Sequence, residues 1–201
     1  EYQKRDFKSL PPLKFIETLS AGDGRAKSVS LAYYLPNVKP YGRDDLSKKV
    51  LLTNKIVARY EAITQPMAEV AMDPAQVTQL NPDDISLFVI GHENAHGAGP
   101  ARGYVVRREN KKIITSHELL KKHSNALEEA RADMLGLASM PEAVRRKIIT
   151  QEKANNAAIG LLALLTRGLA TGEEDDHGKA AMLTFYALNQ NGGIIETPEG
   201  R

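Results

Sequence analysis

The chain has 201 residues, 42% hydrophobic and 26% charged, enough apolar surface to bury a core as one domain or two small ones, which predicts a soluble globular protein. A net charge of +2 from scattered lysines and arginines implies neither nucleic acid nor a membrane surface as partner. With no cysteine, disulfide frameworks and thiolate metal sites are excluded, leaving histidine and carboxylate as the good zinc ligands.

The chain opens on Glu1-Tyr2-Gln3-Lys4 without an initiating Met or a signal-like apolar run, and reads as a processed chain or a fragment. No stretch is apolar for long enough to span a bilayer. Residues 1 to 27, with Pro11-Pro12 and Gly22-Asp23-Gly24, predict an irregular segment ahead of a unit over 28 to 201. Val29 to Leu35 is β-branched and aromatic and predicts a strand stopped by Pro36-Asn37. From about Asp45 to Ala71, Leu51, Ile56, Val57, Tyr60, Ile63 and Val70 recur at mostly helical spacing, predicting two helical pieces broken near Pro66.

Asn81-Pro82-Asp83-Asp84 is a helix start: an Asn cap, a proline at the first helical position and two acids that suit the helix dipole. The helix that follows is apolar nearly all round through Ile90, which predicts burial, and it meets stop signals at Gly97 and Gly99-Pro100. Tyr104-Val105-Val106 and Ile113-Ile114-Thr115 fit a β-hairpin or an irregular loop. Ser116 and Ser124 open helical segments, the second running to Met140, and Pro141 opens another. Ala157 to Ala170 is the most apolar helix and reads as core. Gly172 to Gly178 predicts an acidic turn around His177, and Ala180 to Leu188 a last helix closed by Asn191-Gly192-Gly193. The fold class expected is mainly α with a small β component, a zincin-like helical metal-binding lobe.

The chemistry is carried by His92-Glu93-Asn94-Ala95-His96. On a helix, residues i and i+4 share a face, so both imidazoles can converge on one tetrahedral zinc, and Glu93 falls beside it as the base that takes a proton from an activated water. A short motif occurs by chance, so a third ligand is required. The candidates are carboxylates and His117, His123 and His177. In zinc peptidases with a glutamate as third ligand, that residue lies on a separate helix tens of residues later, and an acid one turn away orients a ligand histidine. Glu129 and Asp133, four apart on one helix, fit both roles, with Glu128 turned about 100° away. His117 and His123, beside Lys121-Lys122, read as solvated surface histidines, and Glu173-Glu174-Asp175-Asp176 as a solvated run able to attract a cationic substrate N-terminus.

Glu128-Glu129-Ala130-Arg131-Ala132-Asp133 resembles the E-E-x-R-A-E/D motif of the dipeptidyl peptidase III family of zinc metallopeptidases. The resemblance implies Zn2+ bound by His92, His96 and Glu129, support of a ligand histidine by Asp133, and catalysis by Glu93. His177 matches a family histidine on a later helix that stabilises the transition state; its other reading is a surface histidine. The best-known members carry H-E-x-x-G-H, whereas the four-residue spacing here, followed by His96-Gly97-Ala98-Gly99-Pro100, resembles a bacterial branch. Ser47 to Asn54 and Leu35-Pro36-Asn37 are also similar to segments of those relatives, extending the resemblance over 24 to 201. It implies release of short peptides from the N-terminus of oligopeptides, a missing second lobe that completes the cleft, and a bacterial cytoplasmic or periplasmic location. The rival class is a catalytically inactive, zinc-stabilised binding or structural domain. A Nudix-type metal-phosphate reading is weaker, because no Gly-led acidic motif surrounds Glu128-Glu129.

Overall fold

In the computed structural model, residues 13–17, 31–35, 48–97, 105–109 and 112–198 are described. The chain is mainly helical with a small β component, the class expected from its sequence. Strands β1 (Leu13–Ile16), β2 (Ala32–Leu35) and β3 (Lys48–Leu52) form one sheet in the order β1-β3-β2, β3 running parallel to β1 and antiparallel to β2. Helix α1 (Thr53–Arg59) passes through a π-helical turn at Tyr60–Thr64 into α2 (Gln65–Ala71), and α3 (Pro74–Val77) follows. After α4 (Pro82–His96), β4 (Val105–Glu109) and β5 (Lys112–Thr115) pair antiparallel. Then come α5 (Ser116–Leu120), α6 (Ser124–Arg145), α7 (Gln151–Thr171) and α8 (Asp176–Gln190).

Helix α4 is the hub, touching α6, α7, α1, β2 and β3. Its start is fixed reciprocally: Asn81 Oδ1 accepts from the Asp84 backbone N–H at 2.9 Å, and Asn81 Nδ2 donates to the Asp84 carboxylate. Buried Asp84 also accepts from Lys153 Nζ at 2.9 Å and Asn156 Nδ2 at 3.0 Å, which pins the start of α4 to α7. These partners outweigh the cost of burial and hold the Asp84 carboxyl below its ordinary range. The core is a cluster of Ile85, Phe88 and Val89 from α4 with Met140, Ala157, Leu161, Leu165 and Ala181. The apolar α7 is core along the face carrying Ala154, Ala157, Leu161 and Leu165.

Several local expectations change. Leu13–Ile16, inside the stretch read as irregular, is a strand, and Lys48–Leu52, read as the start of a helical region, is the central strand. β3 is bonded on both edges and buries Leu51 and Leu52, so pairing with distant segments overrides the helical spacing. Val57, Ile63 and Val70 are exposed, although their spacing reads as a core stripe. Pro66 sits in the first turn of α2 and does not break the helical run; Pro141 lies inside α6, which continues to Arg145. The turn read around His177 is shorter than expected: Asp175 Oδ1 accepts from the Gly178 N–H at 2.7 Å, so α8 starts at Asp176 and His177 stands in its first turn.

Candidate metal centre

The site forms where α4 and α6 cross. Gly91 and Gly136 let the backbones meet: a Cβ on Gly136 would stand 2.9 Å from His92 N and 3.2 Å from His92 Cα. At this separation acids on α6 reach the histidines of α4 directly. His92 Nε2, His96 Nε2 and Glu129 Oε2 form a small triangle, with edges of 3.1 Å between the two nitrogens, 3.2 Å from His92 to Glu129 and 3.4 Å from His96 to Glu129. Tetrahedral ligands at about 2.0–2.1 Å from a zinc stand about 3.3–3.4 Å apart, so the triangle matches one face of such a site. The three side chains form a group that can hold a metal ion.

The outer contacts decide which atoms face inward. His92 Nδ1 donates to Asp133 Oδ1 at 2.8 Å, and His96 Nδ1 donates to Glu128 Oε1 at 3.1 Å. A neutral imidazole that donates through Nδ1 offers a lone pair at Nε2. Two lone pairs and a carboxylate oxygen then converge, and Glu129 Oε2 is buried without accepting a hydrogen bond. Three acceptor atoms turned toward one point suit a cation, and two imidazoles with a carboxylate are a donor set that suits zinc.

Without an ion, protons serve instead. Burial opposes charge on His92, but the Asp133 and Glu129 carboxylates outweigh it and push the imidazole up to about 10. His96 is likewise raised against its burial by Glu128 and Glu129. Burial opposes ionisation of Glu129 too, yet the two imidazoles beside it hold it far below the usual carboxylate range. Glu93 differs: burial dominates and raises its carboxyl, and Glu93 Oε2 is buried without a hydrogen-bond partner. Asp133 also accepts from Thr184 Oγ1 at 3.4 Å, which ties the site to α8.

The structure thus brings together His92, Glu93, His96, Glu129 and Asp133. His177 stands at the rim, 68% exposed, with Nδ1 3.6 Å from Glu129 Oε2. His117 and His123 are exposed, His117 paired through Nδ1 with Ser124 Oγ at 3.1 Å. Glu128 is the residue that sequence reasoning missed: its 100° offset from Glu129 aims it at the outer nitrogen of His96. Arg131 braces it, donating through Nε to Glu128 Oε2 at 2.8 Å and through Nη2 to the Ala95 carbonyl at 3.2 Å. The doubled acid followed three residues later by arginine is the signal that could have identified it. Lys49, buried on β3, donates to Asn94 Oδ1 at 2.6 Å and ties the sheet to the middle of the histidine pentad.

A cavity of about 280 Å³ opens beside the site, with His92, Glu93, Asp133 and His177 on its wall together with Phe88, Leu161 and Leu165. Beyond it, no helix among the described residues is long and apolar enough to cross a membrane.

The mainly helical scaffold that carries this group is shared closely by known structures. Dipeptidyl peptidase III from Caldithrix abyssi superposes with a TM-score of 0.84 at 26% identity, over 99% of this chain and 37% of that one. Dipeptidyl-peptidase III from Corallococcus sp. strain EGB does so with a TM-score of 0.82 at 27% identity, over 94% of this chain and 34% of that one. In sequence, the chain is 27% identical over 188 residues to Nudix hydrolase 3 of Arabidopsis thaliana, covering 93% of this chain and 24% of the plant protein. No protein-family model matches. The chain therefore spans about a third of the similar solved structures and about a quarter of the plant relative.

Proposed function

We propose that the chain is the metal-bearing part of a zinc peptidase of the dipeptidyl peptidase III kind, hydrolysing peptide bonds and releasing short peptides from the N-terminus of oligopeptides. The observation that carries the proposal is the convergence of His92 Nε2, His96 Nε2 and the unsatisfied Glu129 Oε2, with Glu93 on the same cavity wall. The likeness to two dipeptidyl peptidase III structures supports the peptide substrate.

His92, His96 and Glu129 hold the ion. Zinc bound there supplies Lewis acidity and a water acidified toward neutral pH. Glu93 takes the proton of the attacking water and returns it to the departing amine. Its carboxyl is raised by burial, which suits a group that must both accept and release a proton. Asp133 and Glu128 keep the Nδ1 protons in place, so both Nε2 atoms stay turned inward. His177, whose Nδ1 lies 3.6 Å from Glu129 Oε2 at the rim, donates an N–H to the oxyanion that develops on the scissile carbonyl. A second lobe, matching the length by which the solved structures exceed this chain, closes the cleft and binds the substrate N-terminus.

The name of the plant relative is not carried over, since no Gly-led acidic motif surrounds Glu128-Glu129. The rival is a zinc-stabilised binding domain, which the same three ligands would also serve. Metal analysis together with peptide hydrolysis by the parent chain and by Glu93→Gln separates the two. The expected result is about one zinc per chain in both proteins and a loss of at least about 100-fold in hydrolysis in the variant, the range for a general base. Zinc retained without hydrolysis by the parent counts against peptidase activity of this chain by itself, and absence of zinc from the parent overturns both readings.

A further inference from the structure

Helix α8 turns one face to the site. His177, Ala181 and Thr184 stand at i, i+4 and i+7, the spacing that keeps residues in one row along a helix. His177 lies at the rim, Ala181 on the cavity wall, and Thr184, only 1% exposed, is buried against α6. Resting on the zinc reading proposed above, we infer that Thr184 is a positioning residue of the metal centre. Its hydroxyl holds the Asp133 carboxylate, and Asp133 thereby holds the His92 ring with Nε2 turned inward.

Three observations carry this. The first is where the hydroxyl goes. Elsewhere on the helices, Ser86 and Thr171 donate to the carbonyl four residues back, and Ser139 and Thr166 to the carbonyl three back. Such a back-bond is the usual outlet for a hydroxyl inside a helix. Thr184 instead donates across helices to Asp133 Oδ2 at 3.4 Å, its one side-chain hydrogen bond among the described residues. A hydroxyl buried this deeply costs free energy unless it is bonded, so the contact with Asp133 is the one that satisfies it. The second is how the Asp133 carboxylate is divided. Oδ1 accepts from His92 Nδ1 at 2.8 Å and Oδ2 accepts from Thr184. The last torsion of an aspartate is broad, so a carboxylate held through one oxygen can swing. Held through both, to α4 on one side and α8 on the other, it keeps a single plane. The third is how firmly α8 is seated. A Cβ on Gly178 would stand 2.0 Å from the Gly172 carbonyl oxygen, and one on Gly168 would stand 2.3 Å from the Ala181 Cβ. The first turns of α8 are thus locked against the end of α7, and Thr184 is presented from a fixed element. An outer contact orients a ligand only as well as it is itself held.

The test is zinc affinity of the full chain, read by competition with a chelator, for the parent, Thr184→Val and Thr184→Ser. Valine keeps the β-branched shape and deletes the hydroxyl, whereas serine keeps the hydroxyl. Valine is expected to weaken zinc binding about 3–10-fold, the range of one net hydrogen bond, with serine within about 2-fold of the parent. Chemical denaturation of the metal-free proteins checks that each variant folds, and Thr184→Ala takes the place of valine if that variant does not. The loss should also vanish in an Asp133→Ala background, because a residue that acts through Asp133 has nothing to act on once that carboxylate is gone. Parent-like affinity without the hydroxyl overturns the inference. So does a loss that serine shares, which makes the effect one of packing, or a loss that persists undiminished without Asp133. The failure of the underlying reading looks different: a parent that binds no zinc removes the metal centre, and the role of Thr184 with it, whereas equal binding by parent and valine variant leaves the metal centre standing and removes only that role.

Discussion

Glu128 and Asp133 flank the glutamate that faces the two histidines, and each holds the outer nitrogen of one of them. The two contacts do the same work by different means. Asp133 is held by Thr184 on α8, whereas Glu128 is gripped by Arg131 on its own helix, which outweighs its burial and keeps its carboxyl ionised. Because each contact fixes which histidine nitrogen carries the proton, Asp133→Asn and Glu128→Gln should each weaken zinc binding about 10–100-fold. Competition against a coloured chelator measures this; wild-type affinity in both variants contradicts the orienting role. Much of this arrangement is legible in the sequence. The pairs His92/His96 and Glu129/Asp133 follow from helical repeats of four. The role of Glu128 does not, because it depends on how α6 lies across α4, and a helical wheel of one segment carries no crossing angle.

At the scale of elements, the site is as precise as the α4–α6 contact. A Cβ on Gly136 would meet only backbone, at 2.9 Å from His92 N, 3.1 Å from Gly91 C and 3.2 Å from His92 Cα, so α4 itself must move. The tightest contact of a Cβ on Gly91 is the Met140 Cε methyl at 2.9 Å, the far end of a flexible side chain, and the Gly136 backbone lies no nearer than 3.4 Å. Alanine also favours a helix over glycine by about 0.5–1 kcal/mol, which offsets a small adjustment but not a displaced helix. Gly136→Ala should therefore cost about 1–3 kcal/mol of stability and weaken zinc binding, while Gly91→Ala stays within about 1 kcal/mol of the parent. Chemical denaturation of the metal-free proteins gives the order; equal costs would mean that the helices are not in backbone contact. Sequence is informative about these helices one at a time. Asn81-Pro82-Asp83-Asp84 announces α4 because the cap is local, and Ala157 to Ala170 announces core. Strand β3 escapes because Lys48–Leu52 becomes extended only through partners at residues 13–16 and 32–35. Pro141 escapes because α6 continues past it, with Met140 buried in the core.

For the molecule as a whole, a metal at the proposed site would join elements that otherwise hold each other through costly groups. Two histidines and four carboxylates lie within one helix crossing, and without an ion His92 and His96 both have raised pKa values, so the site keeps protons as counter-charges. Zinc bound as proposed would replace those protons with one centre bonded to α4 and α6 together, and would bind the folded chain far better than the unfolded one. A ligand selective for the folded state stabilises it by about 2.7 kcal/mol at 100 times its Kd. For a chain of this size about 1 kcal/mol moves the melting temperature by about 2–4 °C, so zinc should raise it by about 5–11 °C at that saturation. Glu93→Gln should keep this shift, because Glu93 is not among the proposed ligands, while Glu129→Ala should lose most of it. His177→Ala should also keep it, since the histidine stands at the rim with 68% of its side chain exposed. The melting curve thus separates the ligands from the residues assigned to the reaction, even in a chain that spans about a third of the similar solved structures. A zinc-dependent shift that survives in Glu129→Ala would remove that residue from the site, and its loss in Glu93→Gln would place the glutamate among the ligands and leave the proposed mechanism without its base.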